Sequence, residues 1–359
     1  MPSHLIPHNS DSRVGHHRFK YVGAREVGSG PANVAAHGKC LDLWHDGIMR
    51  VSVVIPVFNG ERYLRAALLS AMEQTYAAAE IIVVDDGSTD DSMKVIDAVN
   101  QMGTLTVVRQ SNMGLAAARN SGIEVAQGEL VAFLDADDVW FPEKLAAQVP
   151  LFEDASVGAV GSFMTYLGPT DRPFGTSGEI ADERGEDIAA ARFKPFAPSS
   201  TICRRKVLLD TGGFDPELSR LGVEDLDSLA RIASSYRVLT VPRPLGYYRV
   251  HPDSVTFDRF YEMQRATEFL QDRIRDRRSG QDITWAEWTA GHPITVQNRR
   301  QWRTRFLYRR AGLYWVSERR GRGIGCMAIA ALMGPRYVVP RVRRQFRTVG
   351  QLPSEALVD

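Results

Sequence analysis

The chain has 359 residues, enough for one large domain or two smaller ones with real cores, and its 44 Lys plus Arg against 43 Asp plus Glu argue for no particular partner. Cys40, Cys203 and Cys326 are too scattered for a disulfide framework or a zinc-ligand spacing, which points to a reducing compartment. The N-terminus lacks a secretory pattern and no apolar run approaches the ~20 residues needed to cross a bilayer, so a cytoplasmic location is expected.

Residues 1–49, rich in His, Gly, Ser and Asn, show no sustained periodicity and read as a flexible extension. His4, His8, His16 and His17 have no fixed ligand spacing, so a solvated tail is preferred to a metal site. Regular structure is expected to begin at VSVVIPVF (51–58), a buried β-branched strand closed by Asn59-Gly60, with a helix over 61–74. EIIVVDDGS (80–88) reads as a second strand, 91–102 as a helix, 105–109 as a third strand, 115–126 as a helix and 130–134 as a fourth strand. Strands and helices alternating at these lengths imply parallel pairing with right-handed crossovers, hence an α/β fold. Ligands in such sheets bind beyond the carboxyl ends of the strands, where Asp85-Asp86 and Asp135 to Asp138 both fall.

Beyond Pro142 the pattern is mixed. A helix is expected over 141–152, a strand over 157–166, a loop over 168–185, and a short helix over 207–211 ended by Gly212-Gly213. A helix over 224–234 is followed by two short strands within 238–250, broken by prolines, and by a helix over 261–278. From Arg299 two helical segments are expected, with a break near 321–325.

Three acidic stretches carry the chemistry. VAFLDADDVW (131–140) ends an apolar strand in Asp135, Asp137 and Asp138. On extended backbone Asp135 and Asp137 point the same way, and close carboxylates call for a hard divalent cation unless the segment is a solvated acidic turn. In DDGSTDDS, Ser88 to Asp90 are explained as helix caps, whereas Asp85 at a strand end suits a uracil imide or a ribose hydroxyl. Glu224, Asp225 and Asp227 open a helix, where they either complement its dipole or face the crevice.

Together these pieces resemble the family-2 glycosyltransferases of the GT-A fold. The resemblance rests on VSVVIPVFNGERYL (51–64), EIIVVDDGSTDDS (80–92), NMGLAAARNSGIEVAQGELVAFLDADD (112–138) and GGFDPEL…GVEDLDSLAR (212–231), with GYYRVHPDSVT (246–256) as a fifth segment. Each piece alone is weak, but the ordered set is specific and covers about 51–256, well over half of the chain. It implies a Rossmann-like, mostly parallel sheet flanked by helices over 50–258, followed by a helical, arginine-rich extension over 259–359. It also implies an inverting enzyme that uses a nucleotide-diphosphate sugar, a UDP-sugar above all, and an acceptor hydroxyl on a glycan or a lipid-linked saccharide. Residue by residue, Pro56, Phe58 and Glu61 would meet the nucleotide, with Phe58 standing where a tyrosine is common. Asp85 and Asp86 would hold the base, Arg119 would lie near the nucleotide-sugar, and Asp135 would approach ribose and metal. Asp137 would ligate Mn²⁺ or Mg²⁺, Asp225 would be the general base beside Glu224, and Arg249 and His251 would flank the diphosphate.

The rivals are an inactive nucleotide-binding module and a sugar nucleotidyltransferase. The second would want a Gly-rich basic loop where Pro56-Val57-Phe58-Asn59 stands. A dehydrogenase would want a Gly-x-Gly-x-x-Gly turn. The arginine-rich end mixes aromatic and basic residues at helical spacing. It reads either as a peripheral contact on the inner face of a membrane or, slightly favoured, as a solvated basic face of packed helices; no nucleic-acid motif accompanies it.

Overall fold

β-branched and apolar residues, with Ser52 alone polar among them, give Val51–Val57 (β1) a strand in which every position is buried, as a strand covered on both faces requires. The structure is a computed structural model and describes residues 48–168, 171–182, 184–250, 259–277, 280–316 and 320–349. The expected extension 1–49 lies almost wholly outside them. After β1 come Leu64–Met72 (α1), Glu80–Asp85 (β2), Ser92–Val99 (α2), Leu105–Arg109 (β3), Leu115–Val125 (α3) and Leu130–Phe133 (β4). β1 pairs in parallel with β2 and β4, and β2 pairs in parallel with β3. The order β3-β2-β1-β4 therefore reverses direction between β1 and β4, and a crevice opens at such a switch point. Gly122 of α3 lets that helix lie on the sheet, because a Cβ there would come within 2.3 Å of Val54.

The second half extends the same sheet. Val139–Trp140 (β5), Lys144–Gln148 (α4), Val157–Leu167 (β6), Pro173–Ser177 (β7), Gly185–Ala189 (α5), Ile202–Arg204 (β8), Arg205–Asp210 (α6), Pro216–Ser219 (α7), Glu224–Ala233 (α8) and Arg237–Arg249 (β9) follow in turn. β8 joins antiparallel to β4, and β6 joins antiparallel to β8 and parallel to β9. Among the described residues the sheet has nine strands, and β7 pairs only with β6. Two apolar clusters fill its faces, one centred on Val53, Ile55 and Leu68, the other on Phe133, Phe214 and Ile232.

Three expectations are corrected here. The segment 168–185 contains β7, whose largely exposed residues show no apolar alternation. Pro242 and Pro244 do not split 238–250, because the register against β6 shifts near Phe163 and absorbs them, leaving one strand. Gly321, Gly323 and Gly325 lie inside a helix and mark no break. The C-terminal helices are Phe260–Arg277 (α9), Trp285–Gly291 (α10), Val296–Val316 (α11), Arg320–Met333 (α12) and Pro335–Val349 (α13). Phe269 and Leu270 of α9 and Trp288 of α10 pack against Leu226 and Ala230 of α8, so this region builds directly on the helix that carries the Glu-Asp pair.

Candidate active site

The crevice is lined by the turns that follow β1, β2 and β4. After β1, Asn59 adopts a left-handed φ of 52°. Its side-chain oxygen accepts from Thr89 N at 2.8 Å, and Gly60 N donates to Ser92 Oγ at 2.9 Å. A Cβ on Gly60 would lie 3.4 Å from Ala136 Cβ, so this loop sits against the acidic turn after β4. Pro56 is buried within β1 opposite Val84, while Phe58 is exposed at the crevice edge. Glu61 accepts from Asp91 N at 2.9 Å and thus ties the first loop to the start of α2.

The carboxylates of Asp85 and Asp86 are both buried, with different partners. Asp85 Oδ1 accepts from Ser88 N at 3.0 Å, and its Oδ2 lies 3.7 Å from Arg109. Asp86 accepts from Gln110 Nε2 at 2.8 Å, Met113 N at 2.9 Å and Gly114 N at 2.8 Å. These bonds clamp the loop that leads into α3.

β4 ends at Phe133, and Asp138 N donates to Asp135 O at 3.1 Å, so 135–138 is a turn. The strand alternation expected to align Asp135 with Asp137 therefore does not operate there. Asp135 and Asp137 are partly exposed, whereas Asp138 is buried and accepts from Arg249 N at 2.8 Å. Burial, followed by the charges of Asp137 and Asp135, pushes the Asp138 carboxyl well above its ordinary range. Arg249 also donates through Nε to Asp137 O at 2.9 Å, pairs with Asp171, and lies over the Tyr63 ring at 4.2 Å. His251 lies outside the described residues.

The central contact is made by Arg119, which is buried in α3. Its Nη2 donates to Asp135 Oδ1 at 2.8 Å and its Nη1 to Glu224 Oε1 at 3.1 Å. Residues 105 positions apart are thereby joined, and the acidic turn is tied to the first residue of α8. The Phe214 ring lies 5.3 Å from the guanidinium. Burial works against the Arg119 charge, but Asp135 and Glu224 outweigh it and hold the group charged. Burial and then the Asp225 charge push Glu224 up to about 7, against the opposing pull of Arg119. Arg119 and Glu224 thus act as the strut of the site. Asp225, beside them, is more exposed; it is ion-paired with Lys194, and its Oδ1 accepts from Leu226 N at 2.6 Å.

Sequence reasoning missed Lys194, Ser199 and Lys144. Ser199 Oγ accepts from Asp135 N at 3.0 Å, and Ser199 O accepts from Trp140 Nε1 at 2.6 Å. Lys144 lies 4.5 Å from the Trp140 ring, and burial pushes its amine down to about 7. Beneath Lys194 and Asp225 an open-sided pocket is bordered by Phe133, Phe214 and Ser228.

No group of three or more His, Cys, Asp or Glu among the described residues is arranged to hold a metal ion. Asp135 and Asp137 still supply hard, partly exposed carboxylate oxygens, which suit Mg²⁺ or Mn²⁺ when phosphate oxygens complete the shell. The residues present fit such an ion.

A mixed, mostly parallel sheet with a switch-point crevice, carboxylates at two strand ends and an acidic helix start drawn to them make a GT-A-type fold. Comparisons agree. Residues 52–211 match the model of Glycosyl transferase family 2, and 184–276 match Glycosyltransferase like family 2. An uncharacterized glycosyltransferase of Nostoc sp. is 34% identical over 56% of this chain, a match that spans 65% of the Nostoc protein, just short of two thirds. The Escherichia coli UDP-Glc:alpha-D-GlcNAc-diphosphoundecaprenol beta-1,3-glucosyltransferase WfaP is 29% identical over 62% of this chain and 85% of its own length. Among solved structures, S. aureus TarS 1–349 in complex with UDP superposes with a TM-score of 0.50 at 20% identity, covering 80% of this chain and 93% of that one. The mannosyltransferase PcManGT of Pyrobaculum calidifontis gives 0.50 at 22% identity, covering 79% and 75%. These structures share the fold. Across residues 52–276 the chain belongs to the family-2 glycosyltransferases.

Proposed function

We propose that the protein transfers a sugar from a UDP-sugar to a hydroxyl of a lipid-linked saccharide with inversion at the anomeric carbon. The observation that carries this reading is the Arg119 bridge. It draws the Asp135–Asp138 turn, suited to a diphosphate and its cation, to the Glu224-Asp225 pair, suited to an acceptor hydroxyl. The donor and the lipid-linked acceptor rest on the E. coli relative, whose name specifies both.

In this reading Asp85, at the end of β2, binds the uracil or ribose, and Pro56 near the end of β1, with Phe58 and Glu61 in the loop beyond it, lines the nucleotide site. Asp86 acts one step removed, by holding the loop before α3. Asp137 and Asp135 would hold Mg²⁺ or Mn²⁺, which would supply charge stabilisation for the leaving diphosphate. Asp225 orients the acceptor hydroxyl and accepts its proton as the oxygen attacks the sugar from the face opposite the diphosphate. A carboxylate is a weak base toward an alcohol, so the proton moves late and positioning carries much of the acceleration. Arg119 and Glu224 keep Asp225 in register with the acidic turn. Lys194 occupies Asp225 in this structure, and the incoming hydroxyl takes its place.

That ion pair also favours one second reading, a module that holds nucleotide without transferring sugar. The test is incubation with UDP-glucose, Mn²⁺ and a synthetic GlcNAc-diphosphate-lipid, following UDP release and the anomeric configuration of the product by NMR. A β-linked product supports the proposal. An α-linked product would refute inversion, and an absence of UDP release with every UDP-sugar offered would favour the second reading.

A further inference from the structure

The outer face of α12 has no role in the crevice, and its pattern is unusual for a surface helix. Gly323 and Ala330 of α12 and Val338 of α13 turn inward and are buried. Gly334 brings the chain so close to α11 that a Cβ there would meet Thr304 at 2.7 Å, and Arg300 Nε donates to Met333 O at 2.9 Å. The opposite side carries Ile324, Ile329 and Leu332, exposed by 58%, 50% and 81%, and Val339 of α13 is exposed by 40%. Ile324, Ile329 and Leu332 recur at three- and five-residue spacings along one side of α12, with Gly325 and Ala328 between them and no charged residue from 323 to 335. A surface stripe of this kind normally marks an interaction site.

What surrounds the stripe identifies its partner. Arg322 precedes it, and Arg336 and Arg341 follow; all three are exposed. No Asp or Glu occurs between 319 and 349. Arg300 donates to the Met333 carbonyl and Arg305 to the Gln264 side-chain oxygen, while Arg341 lies over the Tyr337 ring. A two-fold dimer through this face would set the Arg322 end of one stripe against the Arg336 end of the other, a like-charge contact that works against association. Apolar side chains at headgroup depth, flanked by guanidinium groups, instead suit a surface of anionic phospholipid. No described helix is long and apolar enough to cross a membrane, so the contact would be peripheral.

We propose that the outer stripe of α12 docks the protein on an anionic bilayer surface. This deepens the proposed function, because it would hold the crevice at the surface where a lipid-linked acceptor resides. Its test needs no sugar transfer.

Full-length protein is sedimented with phosphatidylcholine vesicles, with and without phosphatidylglycerol. Binding is expected with the anionic vesicles, weakening as salt rises, and falling roughly tenfold in Ile329→Asp/Leu332→Asp and in Arg322→Glu/Arg336→Glu. The substituted positions are exposed, and unchanged thermal unfolding checks that each variant folds. Absent vesicle binding, or equal binding by the variants, would overturn the proposal. So would concentration-dependent dimerisation abolished by the same substitutions without vesicle binding, which would assign the stripe to a second copy. Since the vesicles carry no sugar substrate, docking can hold while transfer fails, and the reverse.

Discussion

Replacing Arg119 by Met removes the cation bonded to both Asp135 and Glu224 and leaves a buried carboxyl facing Asp225. In the native protein Glu224 sits at about 7, pushed up by burial and then by Asp225, and pulled down by Arg119. A carboxyl whose folded pKa is raised binds more protons in the folded than in the unfolded state. Its contribution to stability therefore declines as pH rises from its unfolded value through about 7 and is level above that. Without Arg119 the folded pKa rises further, so the decline continues above pH 7 at ~1.4 kcal/mol per pH unit until the new value is reached. At pH 6 the cost is chiefly the charge-assisted bond to Asp135, ~1.5–3 kcal/mol, together with the bond Glu224 Oε1 accepts from Arg119. At pH 8 the loss should be larger by about 1.4 kcal/mol. Urea denaturation at 25 °C and both pH values reads the difference directly, and Arg119→Lys should rescue little because one ammonium cannot replace the two-pronged guanidinium contact. Equal losses at pH 6 and pH 8 would refute the coupling between Arg119 and Glu224.

Asp225→Asn should leave UDP affinity within about threefold while lowering sugar transfer by roughly 10²–10⁴, the range for losing a positioned base; calorimetry and UDP release read the two quantities. Asp86→Ala strips acceptors from Gln110 and the Met113 and Gly114 amides and should cost about 2–3 kcal/mol in denaturant unfolding. The Cys203 thiol, buried and pushed up to about 12, should resist a disulfide reagent until denaturant is added, as peptide mass spectrometry would detect.

The first half of the fold was legible because its strands are buried on both faces and read as plain apolar runs. Leu105–Arg109 falls where the pattern places it, and the β1, β2 and β4 cores do so within a few residues. Beyond residue 168 the signals weaken for identifiable reasons. An exposed edge strand such as β7 needs no apolar face, and the prolines of β9 are absorbed by a register shift visible only in the pairing. The site divides in the same way. Acidic residues at strand and helix ends could be picked out locally, but the bond from Arg119 to Glu224 spans 105 residues and leaves no trace in spacing. Lys194 lies in a segment without a motif, so nothing in the sequence pointed to its pairing with Asp225. Glu61 and Asp86 could likewise be picked out as carboxylates near strand ends, but the loop bonds they make to Asp91 N and to Gln110, Met113 N and Gly114 N could not.

The central claim is that the crevice binds a nucleotide diphosphate through the turn that carries Asp137. Calorimetric titration with UDP, GDP, dTDP and CDP, with and without Mn²⁺, tests it most directly. Mn²⁺-dependent binding of UDP by the native protein, and its loss in Asp137→Ala, are expected. Equal UDP binding by the native protein and Asp137→Ala, or binding indifferent to Mn²⁺, would contradict it.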